Sequence, residues 1–266
     1  MIKRKTYTLC NGDVIDVHEF HDGKYGAPGK KRQKKKKPTK EQMQKVNKAN
    51  KERKCRQKML EYFNTGDWLF TLTYQIRYRP VSMSVALGHF RKFRRKIHRA
   101  YEKRGYELFW IRNIECGTRG AWHIHLVVNA IEDTLKIISD AWEYGHIDHI
   151  KIGKSDKYDE DFTQLANYLT KDENTREVKK DGTPAKPKIK ESSYGTSRNM
   201  PLPDPDVDKL YRWKKEPKAK KGYWIAKSHE GRNPYNNCKY RRYTMVRLGS
   251  KKYKEIEEVM GLWSSG

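Results

Sequence analysis

Seven residues constrain this chain most: Trp122-His123-Ile124-His125-Leu126-Val127-Val128. Side chains alternate across a β-strand. Trp122, Ile124, Leu126 and Val128 therefore form one apolar face, and His123 and His125 point together to the other. An apolar face of that size needs a cover, and the flanking sequence supplies it. From Met83 to Lys103, Ala86, Phe90, Phe93, Ile97 and Tyr101 recur at spacings of three and four, which predicts an amphipathic helix. Thr134 to Tyr144 predicts a second, with Leu135, Ile138 and Trp142 on one face.

Further strands are expected over Trp68–Tyr74, Glu107–Glu115 and His146–Ile152, from their β-branched and aromatic content. A Gly-containing turn from Cys116 to Gly120 links the second of these to the histidine strand, expected over Ala121–Asn129. The order is β-α-β-β-α-β, followed by a short helix over residues 161–172. That order suits an α+β fold: a ferredoxin-like (split βαβ) antiparallel sheet with both crossover helices on one face. Three regions follow. Residues 1–65 form an N-terminal hairpin, a basic linker and a basic helix; residues 66–172 form the central domain; residues 173–266 form a basic extension that adds strands or nucleic-acid contacts.

In the first region, Tyr7–Cys10 and Val14–Val17 flank Asn11-Gly12, which predicts a hairpin with a type I′ turn. Thr39 and Gln42 have the spacing of a capping box, placing a helix from Lys40 to Phe63. Lys30–Lys37 is a solvated tether or a phosphate-contacting arm. Gly23–Lys31 has five residues between its outer glycines and Lys31 in place of a hydroxyl residue, so it fails as a P-loop. Beyond residue 172, Lys179–Lys190 reads as a loop, and Tyr223–Arg247 has strand-like stretches rich in Tyr and Arg.

Charge narrows the partner. The chain has 266 residues and a net charge of +26, which points to a polyanion, nucleic acid before membrane. The charge is uneven. Residues 30–58 are net +13, residues 59–172 only +2, and residues 173–266 are +11. There is no run of ~18 apolar residues to cross a membrane. Met1–Tyr7 lacks an apolar core for secretion, so a cytoplasmic setting is expected. Cys10, Cys55, Cys116 and Cys238 form no C-x-x-C pair, which argues against structural zinc and for reduced thiols.

The chemistry-bearing residues fall in the central region. His123 and His125, one strand step apart, can grip one cation. Glu115, beside the turn on the preceding strand, adds a carboxylate suited to Mg²⁺ or Mn²⁺. Tyr168 and Lys171, three apart, share a face of the last helix while Leu165 and Leu169 hold the other. Phe70-Thr71-Leu72-Thr73-Tyr74, then His123-Ile124-His125, then Tyr168-Leu169-Thr170-Lys171 occur in that order.

That series resembles the three motifs of the HUH endonuclease superfamily. It is most similar to the single-tyrosine rolling-circle replication initiators of plasmids, phages and single-stranded DNA replicons. The resemblance spans about residues 66–172. The residue four after Tyr168 is Asp172, so there is no second tyrosine of the two-tyrosine kind.

The resemblance implies site-specific nicking of single-stranded DNA at a replication origin. Glu115, His123 and His125 would hold the divalent ion, Tyr168 would form a 5′-phosphotyrosine link, and Lys171 would neutralise charge. The setting implied is a bacterial host or an infected cell. A host helicase and polymerase would be partners, since no helicase motif is present. Arg91, Arg94, Arg95, Arg99 and Lys103 on the first amphipathic helix, and Tyr240, Arg241 and Arg242 near the C-terminus, are candidate DNA contacts. Two alternatives stand beside this reading: a conjugative relaxase or single-tyrosine transposase, and a non-catalytic nucleic-acid-binding module on the same sheet.

Overall fold

A computed structural model describes residues 2–21, 37–117, 121–153, 162–172, 191–233 and 236–250. The Lys30–Lys36 portion of the basic run, Gly23–Lys31, Lys179–Lys190 and the turn residues 118–120 lie outside them. The fold is α+β, with four α-helices and two antiparallel five-stranded sheets among the described residues. The chain divides into two compact units. One comprises residues 62–201, and the other joins residues 1–61 to 202–266.

In the unit of residues 62–201 the elements run β3 (Trp68–Thr73), α2 (Met83–Glu102), β4 (Trp110–Cys116), β5 (Trp122–Val128), α3 (Thr134–Ala141), β6 (Ile147–Lys151), α4 (Thr163–Thr170) and β7 (Tyr194–Thr196). The sheet order is β6-β3-β5-β4-β7. Its first four strands have the split βαβ arrangement, and β7 extends the β4 edge. The histidine strand is therefore central, paired with β3 on one side and β4 on the other.

Its alternation sets the layers. Trp122, Ile124, Leu126 and Val128 join one apolar core with Phe90, Phe93, Ile97 and Tyr101 of α2 and Ile137, Ile138 and Trp142 from α3 and its end. Ser82 caps α2, its hydroxyl accepting from the Val85 amide. The α3 face is turned from the one expected: Ile137 is buried with Ile138, and Leu135 is exposed. The chain passes very close to β3 after α3. A Cβ on Gly145 would lie 2.2 Å from the Thr73 carbonyl oxygen, so only glycine fits there.

The other unit has β1 (Ile2–Leu9), β2 (Val14–His21), α1 (Lys40–Tyr62, to residue 61 in this unit), β8 (Asp206–Leu210), β9 (Tyr223–Arg232) and β10 (Lys239–Arg247). The strand order is β8-β1-β2-β10-β9. The two ends of the sequence thus share one sheet. The hairpin forms, but without a two-residue type I′ turn. Leu9 pairs with Val14, and the four residues between include Cys10, Asn11 and Gly12, all at positive φ. The capping box closes as expected: Gln42 N donates to Thr39 Oγ1, and Thr39 N to Gln42 Oε1. All four cysteines are free thiols. No described helix is long and apolar enough to cross a membrane.

Helix α1 docks on β2 through charge as well as apolar contact. Arg56 and Asp16, both buried, form an ion pair, and Gln57 donates to the other Asp16 oxygen at 2.8 Å. Removing one partner strands the other charge out of water, at a cost of about 3–5 kcal/mol. Asp16→Ala should lower the unfolding free energy by that amount in denaturant titrations. Asp16→Leu combined with Arg56→Met should recover most of it.

Candidate functional site

The open face of the second sheet carries the chemistry. In β4 the alternation that buries Ile114 on the helix side turns Asn113 and Glu115 to the opposite face. Glu115 pairs in register with His123, and Asn113 with His125. Cross-strand neighbours on one face lie about 5 Å apart, so register alone brings a carboxylate to two imidazoles. Glu115 Oε2 lies 3.4 Å from His123 Nε2, and Oε1 lies 3.6 Å from His125 Nε2. One donor atom from each of the three residues falls within 4.8 Å of the others. The group can therefore hold a metal ion.

Helix α4 crosses this face. Phe162, buried at a left-handed φ of 58°, starts it, and Leu165, Ala166 and Leu169 are buried. Anchored on that side, the helix delivers Tyr168 on its other side. The Tyr168 hydroxyl sits 2.8 Å from His125 Nε2 and 3.0 Å from Nδ1. Thr71 Oγ1, 3.3 Å from Nδ1, gives that nitrogen a second partner and leaves Nε2 for a cation.

Lys171 corrects one expectation. It is not on the helix face with Tyr168, because α4 ends at Thr170 and Lys171 is extended, with ψ 145°. It still converges. Its ammonium lies 4.4 Å from the Tyr168 ring centre and 2.9 Å from Glu115 Oε1. The Asn113 amide, 3.4 Å from the Lys171 carbonyl, ties this segment to β4. Sequence reasoning missed Asn113. Its signal was the same period-two alternation, two residues before Glu115. Its Oδ1 is buried and accepts no hydrogen bond, so the site has an unfilled acceptor beside His125.

The electrostatics suit a cation. Burial acts to raise the Glu115 carboxyl. Hydrogen bonds to His123 and Lys171, and the nearby charge of His125 and Lys171, outweigh it and hold the group below its ordinary range. Burial pushes His125 down to about 4, with His123 and Lys171 adding to the effect against the pull of Glu115. At neutral pH Glu115 is an anion and His125 a neutral donor, the forms in which they ligate a metal.

The other candidates lie elsewhere. Arg91, Arg95, Arg99 and Lys103 are exposed and Arg94 is half-buried on α2. That helix covers the opposite face of the sheet from Tyr168. Tyr240, Arg241 and Arg242 are on β10 of the other unit, where Arg241 is fully buried and paired with Glu230. Tyr235 lies outside the described residues. His149 packs beside Trp68, and His146 is near Asp148; neither joins the cluster.

Residues 67–173 match one family model, that of the ORF2-type replication-associated proteins. The matched segment contains β3 through α4 and every residue of the cluster. By that similarity it is a replication-associated segment. Neither a curated protein nor a solved structure matches the chain.

The Lys171 ammonium stands where it opposes a bound divalent ion. Removing one unit charge a few ångströms from such an ion changes its energy by about 1–2 kcal/mol even at the dielectric of water. Lys171→Met should therefore tighten Mn²⁺ binding by roughly tenfold in calorimetric titrations, and Glu115→Gln should abolish it.

Proposed function

We propose that the protein initiates DNA replication as an HUH-type nicking and strand-transfer enzyme. One observation carries the reading: a tyrosine hydroxyl touches the imidazole of a Glu/His/His cluster, within a segment similar to replication-associated proteins. The donor set of one carboxylate and two imidazoles fits a divalent ion, Mg²⁺ or Mn²⁺. Held by Glu115, His123 and His125, it supplies a Lewis acid for a phosphodiester.

The protein's own residues account for the rest. Tyr168 presents its hydroxyl from a helix whose buried side fixes its position, so the nucleophile is oriented before substrate arrives. A tyrosine hydroxyl is a poor nucleophile near its free pKa of about 10. The Lys171 ammonium beside the ring favours the phenolate. Tyr168 Oη attacks the scissile phosphorus, the bond from phosphorus to the 3′ oxygen breaks, and that oxygen takes up a proton while the phenol loses one. A 5′-phosphotyrosine and a free 3′-OH result. A later 3′-OH reverses the link and transfers the strand.

Glu115 cannot substitute as the nucleophile while it is buried and held by two imidazoles and an ammonium. The basic flanks, at +13 and +11, supply affinity for the DNA backbone, and the nearly neutral centre carries the chemistry. The substrate on this reading is a single-stranded origin segment. The partners are a host helicase and polymerase, which unwind from the nick and extend the 3′-OH.

The test uses single-stranded origin oligonucleotides with Mn²⁺ and a denaturing gel. A covalent protein–DNA band is expected, and Tyr168→Phe should abolish it. His123→Ala should reduce cleavage by at least ~100-fold while salt-dependent DNA binding persists. An adduct that survives Tyr168→Phe would overturn the assignment of the nucleophile.

A further inference from the structure

The unit that joins both ends of the chain contains a cavity of about 360 Å³ on the sheet face opposite α1. Strand register orders its floor in three rows. Arg4, Glu19 and Arg241 lie side by side across β1, β2 and β10; Thr6, Val17 and Tyr243 form the next row; Thr8, Ile15 and Met245 form the last. The floor therefore grades from charged to apolar. The segment between β8 and β9 forms the rim, with Lys214, Lys218 and Lys220 exposed on it.

The charged end holds an unmet demand. Arg241 is fully buried. Its Nε donates to Glu230 Oε1, and its Nη2 donates to the carbonyls of Lys214 and Lys215. Its Nη1 makes no hydrogen bond, and its nearest carboxylate oxygen, Glu19 Oε2, is 3.7 Å away. Arg4 already takes the other oxygen of Glu19 at 2.7 Å. A buried guanidinium donor without an acceptor is uncommon and calls for a partner from outside. That partner must offer an acceptor at the inner end, a flat apolar surface over Val17, Ile15 and Met245, and negative charge at the lysine rim.

We propose that this cavity receives one unpaired base of a single DNA strand. The base lies over the Val17 and Ile15 shelf beside Tyr243, a carbonyl or ring-nitrogen edge accepts from Arg241 Nη1, and the flanking phosphates meet Lys214, Lys218 and Lys220. A volume of this size lies within the usual range of ligand pockets. This rests on the reading of the protein as one that handles single-stranded DNA. It adds a second place where the strand is gripped, and it assigns Arg241 to an interior base contact rather than to a surface phosphate contact.

The full-length protein is titrated with fluorescein-labelled single-stranded oligonucleotides in EDTA. Binding is then read apart from Tyr168 chemistry, and the two readings fail separately. Thr6→Trp fills the cavity without changing charge. It should weaken binding by about tenfold, the scale of losing one stacked base, and remove the crosslink from a 4-thiothymidine oligonucleotide to β10 or to residues 214–220. Should Thr6→Trp melt early, Lys214→Ala with Lys218→Ala on the exposed rim decides, through loss of the same crosslink and a shallower salt dependence. Unchanged affinity and crosslinks mapping elsewhere would overturn the proposal and leave Arg241 Nη1 to an ordered water. A free deoxynucleoside monophosphate that binds as tightly as the strand would overturn it too, in favour of a mononucleotide site.

Discussion

The site depends on one carboxylate that the fold removes from water. Glu115 is 3% exposed, and an ionised carboxylate at such a depth is tolerated only when paired and hydrogen-bonded. Its partners come from two separate segments: the two imidazoles of β5 and the ammonium of Lys171 just past α4. Each is placed by burial on the far side of its own element. The apolar face of β5 turns His123 and His125 outward, and Leu165 and Leu169 turn Tyr168 inward. Core packing and the chemistry are thus opposite faces of the same strands and helix.

The arrangement also explains why a tyrosine and a lysine stand beside a cation site. Glu115 needs positive charge whether or not an ion is bound, and Lys171 supplies it within the chain. The same ammonium lies against the Tyr168 ring, so the group that balances the carboxylate also favours the phenolate. With His125 neutral and Glu115 ionised, the donor set is in its ligating form at neutral pH.

Much of this was legible in the sequence because its signal is local. Period-two alternation gave β5 its two faces, three-four spacing gave α2, and Thr39 with Gln42 gave the start of α1. Three things were not legible, each for a non-local reason. The pairing of β1 and β2 with β8 and β10 joins residues some 200 positions apart, and strands rich in Lys, Arg and Tyr show weak alternation. Arg241 reads as one more surface cation in a basic tail, yet three carbonyl or carboxylate partners bury it. Lys171 keeps its place near Tyr168 although the helix stops one residue earlier, because Glu115 and Asn113 hold it.

The central claim is a two-step transfer through Tyr168, and the configuration at phosphorus reads it directly. A single-stranded substrate with one phosphorothioate diastereomer at the scissile phosphate is joined by the protein to an acceptor strand bearing a free 3′-OH. Two successive in-line displacements, one by Tyr168 and one by the acceptor, predict that the product retains the starting configuration. Inversion would mean a single displacement without a protein-bound intermediate, and would contradict the account.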